Sequence, residues 1–575
     1  MLRLLQYGFW AIYLAGFAGL AYTYIIKRAR PDFALIGLLA AFAALLTWRL
    51  YPCTLSYSDD ISHWGLVARH MLRANAFPDA AMDTLRFSSY PPGSASFIYY
   101  ISRTLSHHEG IWMIANNFLM GIFFLPVLSH IRSNRALSGT FVAAVFLALF
   151  GVINPVETLR VDWQLGFFCV GVTSALSWYR EDLKRALFVG VPAMIAVVFF
   201  KSSGLFFAAL TVLCLATIAA RGERPRAAVW RVLLLGAACF LGAYLLWTLN
   251  VRLTFPAGLD SKHAVSISAY AERASSRGVD FMLLIARKMA SMLLRPSITQ
   301  IVGALFVLGC AAACLIVAKA NPGLRRELPR ALKGILSGVG VHAVWLVMVF
   351  FMYVFSMPTD EALALASFSR YNDTGLICMI GMAAVALVDF LGRGPLPKPF
   401  RALYWGALAL LLAAAVVRPA AVSGQFRRTT VGYNRLRTRL IAAREALQAD
   451  AGGKYMIYWN EGTGNHLDYS MYYHVKYEFD TPRISGIMRR REPDEAGAFE
   501  YLKVESAKAD NDPSAGHAVG REYGDDPIDY IRGHIGEFDA LIVVDEDAEF
   551  EAALNSFIAE YRGGTPILFA YRLPT

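Results

Sequence analysis

The sequence predicts a polytopic α-helical membrane protein of about twelve transmembrane helices, with a small α/β domain at its C-terminal end outside the membrane. Three observations lead there. Hydrophobic residues make up 56 % of the 575 and charged residues only 17 %, with a mean hydropathy of +0.43, which is too apolar for a soluble globule. The apolar residues gather into runs near the roughly 20-residue length that a bilayer-crossing helix needs. Between the runs, Lys and Arg cluster on every second connection, as cytoplasmic loops require. The net charge of +11 is thereby accounted for by membrane sidedness, and nucleic acid is not an expected partner.

The runs are 5–26, 33–50, 111–131, 137–153, 163–179, 186–200, 203–220, 229–250, 298–318, 334–356, 374–391 and 403–418. The first is followed by "KRAR" at 27–30 and has no clear small-residue cleavage site, so it reads as a retained helix rather than a signal peptide. "RSNR", "YREDLKR", "RGERPR", "KANPGLRRELPRALK" and "GRGPLPKPFR" fall on the same side as that cluster. The stretch 186–220 sets the parity: as one helix it would run roughly 50 Å against a hydrocarbon core of about 30 Å. It divides into two spans with Lys201 at an outer turn. The outward surface then collects 51–110, 154–162, 251–297 and 357–373, and everything after 418.

Residues 1–418 thus form the membrane module and 419–575 the outer α/β domain. In the tail, "QFRRTTVGYNRLRTRLIAAREALQAD" predicts a basic helix, "KYMIYW" a strand and "HLDYSMYYHVKYEF" a helix or a strand. "FDALIVVDED" and "PILFAYRL" read as strands around the helical "EFEAALNSFIAEYR", and "AKADNDPSAGHAVGREYGDDP" as a loop. Cys169, Cys214, Cys239, Cys310, Cys314 and Cys378 lie inside apolar runs and Cys53 near a loop, so no disulfide framework is legible. No Cys/His cluster has metal-ligand spacing.

The stretch "YSDDISHWGLVARHML" places Asp59 and Asp60 immediately after an apolar run and ahead of an amphipathic pattern suited to a helix along the outer interface. Carboxylates at a helix start ordinarily satisfy free N–H groups and the helix dipole, and Asp60 fits that capping role. Asp59, held at the membrane surface, could take a proton from an attacking hydroxyl or amine. Asp162 in "RVDWQLGFF" opens another span on the same side, where a cap is again the plain explanation. Lys201 in "FFKSSGLF" and Arg370 in "SFSRYND" are cations at outer edges of spans. Snorkelling would account for either alone. Acids and anion-holding cations on one face together point to group transfer.

The order "SDDISHWGLVARHML", "YPPGSASFIYY", "RVDWQLGFF", "FFKSSGLF" and "SRY" resembles the GT-C superfamily of polytopic glycosyltransferases, with the bacterial lipid A aminoarabinose transferases and the protein O-mannosyltransferases nearest in pattern. The resemblance covers roughly 45–390. It implies a sugar taken from a polyprenyl phosphate or pyrophosphate carrier with inversion, and a bacterial inner-membrane enzyme of cell-envelope assembly acting on the periplasmic face. By position it makes Asp59 the first-loop base or acceptor-orienting acid with Asp60 beside it, Asp162 the second acid, and Lys201, Arg370 and Tyr371 the holders of the carrier phosphate. Tyr90 stands before Pro91 and Pro92 where some relatives carry a lysine, the acidic pair is Asp-Asp where Asp-Glu is common, and one more helix precedes the first outer loop. The acceptor would be a glycan, a glycolipid or a protein. A divalent metal could be shared by Asp59, Asp60 and Asp162 if the fold brings them together.

Two other readings compete. An O-antigen polymerase or ligase relies on outer arginines and histidines, and the charged segment 251–297 offers Lys262, His263, Arg273 and Arg277 as substrate contacts. A transporter or flippase predicts broken helices and ionisable residues at the midplane, whereas here nearly all charges lie at the edges of the spans.

Overall fold

The computed structural model describes residues 18, 33–57, 59–79, 87–132, 135–153, 156–222, 224–255, 267–394, 435–449, 453–460, 470–479, 484–493, 499–505, 520–522, 527–544, 547–560 and 570–572. The protein is a polytopic helical membrane protein. Five of its described helical stretches are long and apolar enough to cross a bilayer: Glu109–His130, Pro225–Thr254, Ile298–Ala320, Leu328–Phe355 and Phe368–Leu391.

In chain order the membrane-module helices are α1 (Phe33–Leu50), α2 (Gly65–Ala74), α3 (Gly93–Thr104), α4 (Glu109–Phe124), α5 (Arg135–Ala148), α6 (Asp162–Trp178), α7 (Leu183–Val198) and α8 (Gly204–Ala219). They continue as α9 (Pro225–Thr254), α10 (Ile267–Leu294), α11 (Ile298–Ala320), α12 (Leu328–Phe355), α13 (Thr359–Leu363) and α14 (Phe368–Leu391). Helices stand at ten of the twelve apolar runs; 403–418 lies outside the described residues, as does 5–26 apart from residue 18. The stretch 186–220 is two helices, α7 and α8, with Lys201 in the turn between them.

The segment 251–297, read from its charges as an outer loop, is helical over Ile267–Leu294. Gly278 breaks that helix with φ 64°, a left-handed value that suits glycine. Arg277 beside it donates to the carbonyls of Val354 and Met357, both at 2.6 Å, and so satisfies acceptors left open at the end of α12.

The bundle is built around α14, buried from Phe368 to Leu391 along most of its length, with α6 and α12 against it. Small residues set the spacing, as bilayer packing favours. At Gly171 of α6, a Cβ would run into the Phe123 carbonyl of α4. The outer helices do the reverse. On α9, Leu234, Leu245, Leu246 and Leu253 are each more than 60 % exposed, an apolar face of the kind a bilayer covers favourably.

The tail adds α15 (Arg435–Ala446), α16 (Ser470–Phe479), α17 (Pro527–His534) and α18 (Ala548–Glu560) to six strands: β1 (Tyr455–Asn460), β2 (Ile484–Pro493), β3 (Phe499–Glu505), β4 (Gly520–Glu522), β5 (Ala540–Val543) and β6 (Ala570–Arg572). They form one mixed sheet in the order β4-β3-β2-β1-β5-β6, parallel from β2 through β6 and antiparallel at β2-β3 and β3-β4. Period-two alternation sorts its side chains. Met456, Tyr458, Leu541 and Val543 pack with Ile528, Phe550 and Leu554, while Tyr455, Ile457 and Trp459 join Leu440, Ala443 and Val475 in a core continuous with that of the membrane module. Strands β2 and β3 were not legible, and β4 falls within the expected loop around "AVGRE".

Candidate functional site

At one end of the bundle the starts of α6, α8 and α14 converge on the segment that carries Asp59. Asp59 does not cap its helix; no hydrogen bond joins its side chain to the turn Asp60–Trp64 that follows. Its carboxylate instead accepts from Arg370 Nη1 at 2.6 Å and lies 3.0 Å from Arg160 Nε. Arg370 Nε reaches in the other direction, 3.2 Å from Asp162, and Asp162 accepts from Lys201 Nζ at 2.7 Å. The five side chains form an alternating row: Arg160, Asp59, Arg370, Asp162, Lys201. Three cations face two carboxylates, leaving one positive charge over.

Each member is fixed by its element. Asp162 is the first residue of α6, and Thr374 Oγ1 of α14 donates to its carbonyl at 3.1 Å, tying those two helices together at the row. Tyr371 is buried beside Arg370; its carbonyl accepts from Trp345 Nε1 at 2.7 Å, and its ring lies 5.2 Å from Lys201 Nζ. Tyr90 presents its ring to the same ammonium at 5.9 Å. The Pro-Pro-Gly element is positioned by the Gly93 N–H, which donates to the Phe199 carbonyl at 2.6 Å, and a Cβ at Gly93 would collide with that carbonyl. The turn that carries Lys201 is therefore held directly against the start of α3.

Asp60 is a correction to its reading as a helix cap. Its side chain is fully buried and turns to the loop before α6, where Oδ1 accepts from Thr158 Oγ1 and the Leu159 N–H, both at 3.1 Å. Oδ2 is buried with no hydrogen-bond partner. Burial pushes the Asp60 carboxyl up to about 7, against the opposing pull of Arg160 and those two hydrogen bonds. Burial alone would raise Asp59 as well, but Arg370 and Arg160 outweigh it and hold that carboxyl below the usual carboxylate range. The Asp59 side chain is 43 % exposed and Asp60 is sealed, so of the pair only Asp59 can meet an incoming group. His63, one turn on, is buried and pushed down to about 3 by that burial, which leaves it neutral.

The site includes a residue the sequence reading passed over. Arg160 sits in the short loop before α6, and the signal for it was a cation where the sidedness of Lys and Arg leaves few. Its loop is held by α4: Asn116 Nδ2 donates to the Thr158 carbonyl at 3.1 Å and Asn117 Nδ2 to the Val156 carbonyl at 2.8 Å. A buried ion pair between Arg49 and Glu157 closes the same loop onto α1.

Asp59, Asp162, Lys201, Arg370, Tyr371 and Tyr90 are thus brought together, and Asp60 anchors the neighbouring loop. Lys262 and His263 lie outside the described residues. The side chains do not fit a divalent cation shared by the three acids: the Arg370 guanidinium lies between Asp59 and Asp162, and Asp60 turns away. Among the described residues no group of His, Cys, Asp and Glu converges as metal ligands would.

No family model matches the chain, and no curated protein matches it. Among solved structures it is similar to ArnT from Cupriavidus metallidurans in the apo state, at 13 % identity and a TM-score of 0.35, over 80 % of this chain and 94 % of that one. It is similar also to the same protein bound to undecaprenyl phosphate, at 12 % identity and a TM-score of 0.32 with the same coverage.

Proposed function

We propose that this chain is an inverting GT-C glycosyltransferase that moves a sugar from a polyprenyl phosphate or pyrophosphate carrier to an acceptor on the periplasmic face of a bacterial inner membrane, in cell-envelope glycan or glycolipid assembly. The observation that carries this reading is the alternating row with its surplus cation, set where three helices begin at one end of an apolar bundle. A lipid carrier lies in the bilayer and its phosphate lies at the edge, so an anion site at the ends of helices suits it.

In the proposed reaction, an acceptor hydroxyl or amine approaches the exposed side of Asp59 and attacks the anomeric carbon from the face opposite the carrier. The new bond forms at that carbon as the bond to the carrier oxygen breaks, and the phosphate leaves with the electron pair. Arg160, Arg370 and Lys201 receive its charge. Asp59 takes the acceptor's proton. Its two guanidinium partners make it a weaker base than a free carboxylate, so its main service is orientation, with proton transfer late in the step.

The polymerase or ligase reading needs outer cations that are available to substrate. Arg277, the described member of its set with a defined side chain, is engaged with backbone carbonyls at the end of α12. That leaves the transferase reading ahead.

The direct test supplies the purified protein with radiolabelled polyprenyl-phosphate and polyprenyl-pyrophosphate sugars and a cell-envelope extract as acceptor. Acceptor-dependent release of free carrier, with inverted configuration in the product, is the expected result. Failure with every donor would remove the assignment. The proposed topology has twelve spans with the row and the C-terminal domain outside. A reporter fused after Ala420 should read as outside and one near Arg224 as inside; swapped signals would end it.

A further inference from the structure

We infer that Arg437, in the C-terminal domain, is a positioning residue for the segment that carries Asp59; the catalytic part of this inference rests on the transferase reading. Arg437 lies on α15, almost wholly buried. Its Nη1 donates to the Leu55 carbonyl at 2.7 Å and to Glu109 Oε2 at 2.9 Å, and its Nη2 to Glu109 Oε1 at 2.8 Å. The Leu55 N–H donates to the same Glu109 Oε2 at 2.7 Å. Both backbone groups of Leu55 are therefore used, one by the arginine and one by the carboxylate that the arginine holds. Tyr477 of α16 completes the clamp, its hydroxyl donating to Glu109 Oε1 at 2.8 Å.

The grip extends to the far side of the segment. Arg69 of α2 lies 3.8 Å from Glu478 and stacks on the Tyr477 ring at 4.6 Å, and Glu478 in turn accepts from Arg437. Helix α16 packs against the turn Asp60–Trp64. The two tail helices α15 and α16 thus hold the chain before Asp59 at Leu55 and after it at Arg69. A contact that only fastened two domains would have no need of the Leu55 backbone. The flat guanidinium fork makes this geometry possible, since a lysine has three donors on one nitrogen and cannot serve Leu55, both oxygens of Glu109 and Glu478 at once. The placement of Asp59 against Arg370 and Arg160 is accordingly set in part from outside the membrane module.

The test uses the full-length protein in detergent and two readouts. Hydrogen exchange over residues 55–61 is expected to accelerate about ten-fold in Arg437→Ala, as local opening of a segment that has lost its clamp, with Asp162–Trp178 unchanged. Turnover should fall by up to about 10²-fold, the effect of misplacing a reacting group, while KM for the lipid donor stays within about two-fold. Arg437→Lys should recover part of both. Arg439→Ala is the control, because Arg439 holds the Val544 carbonyl inside the C-terminal domain at 2.7 Å; it should leave both readouts unmoved. Unchanged exchange at 55–61, or equal acceleration in Arg439→Ala, overturns the inference, as does faster exchange with normal turnover. If the wild-type protein transfers no sugar at all, the transferase reading fails and exchange alone decides whether the clamp exists. Should Arg437→Ala not fold, Tyr477→Phe removes one donor to Glu109, keeps the ring and is read by the same exchange.

Discussion

On the transferase reading, Asp59→Asn is expected to lower turnover by roughly 10²–10⁴, through lost orientation and proton acceptance, while the protein still inserts and still binds the lipid donor. The substitution keeps the size of the side chain and one acceptor oxygen, so Arg370 can retain a neutral partner, but it removes the negative charge from the exposed member of the acidic pair. The informative comparison is Asp60→Asn. Asp60 is buried and has a folded-state value near 7 against an ordinary value of 3.8. Between about pH 4 and pH 7 the native state therefore holds a proton that the unfolded chain releases, and stability from this group falls as pH rises through that window. An asparagine there imitates the protonated acid: it can keep the acceptor for Thr158 and Leu159, and the pH slope should disappear with little loss of turnover. Sugar transfer by the two single variants, at matched expression, checks the turnover statements, and unfolding between about pH 4 and pH 7 checks the slope. Near-normal turnover in Asp59→Asn with loss in Asp60→Asn would exchange their roles.

Lys201→Met should cost about 3–5 kcal/mol of stability, the usual result of removing one partner of a buried ion pair. Lys201 and Asp162 are 7 % and 3 % exposed, and their 2.7 Å contact lies between packed helices. Without the ammonium, Asp162 keeps only the Nε side of Arg370, at 3.2 Å and off the hydrogen-bonding angle. The double variant Lys201→Met/Asp162→Asn should recover a large part of the loss, because no stranded carboxylate remains. Denaturant unfolding of the protein in detergent measures both. A loss below about 1 kcal/mol in the single variant would mean the pair is solvated as surface pairs are.

The helical bundle was legible in the sequence because its signals are long and redundant. Apolar runs of spanning length, basic clusters on alternate connections and the excess length of 186–220 gave the helices independently of any motif. The row was legible in part. The expected topology assigned Asp59, Asp162, Lys201 and Arg370 to one side of the membrane and so to one face, but sidedness carries no information about who bonds to whom. Asp60 was misread because a helix start explains any carboxylate, and its true partners stand about 100 positions away in the chain. Segment 267–294 was missed because Gly278 interrupts its helical period. Strands β2 and β3 hid because "ISGIMRRREP" and "FEYLKVE" mix charges with apolar residues and show no clean period-two alternation.

The alternating row has a bearing on how such a sequence can drift. Arg370 is a partner of both acids, so the penalty for changing Asp59 depends on what stands at 162, and the reverse. Changes of charge at these positions are epistatic: a substitution harmless beside one neighbour is damaging beside another. Viable routes away from this arrangement pass through paired replacements of opposite sign, and a lineage that has lost one member should show compensation at the next position in the row before it shows change elsewhere in the bundle.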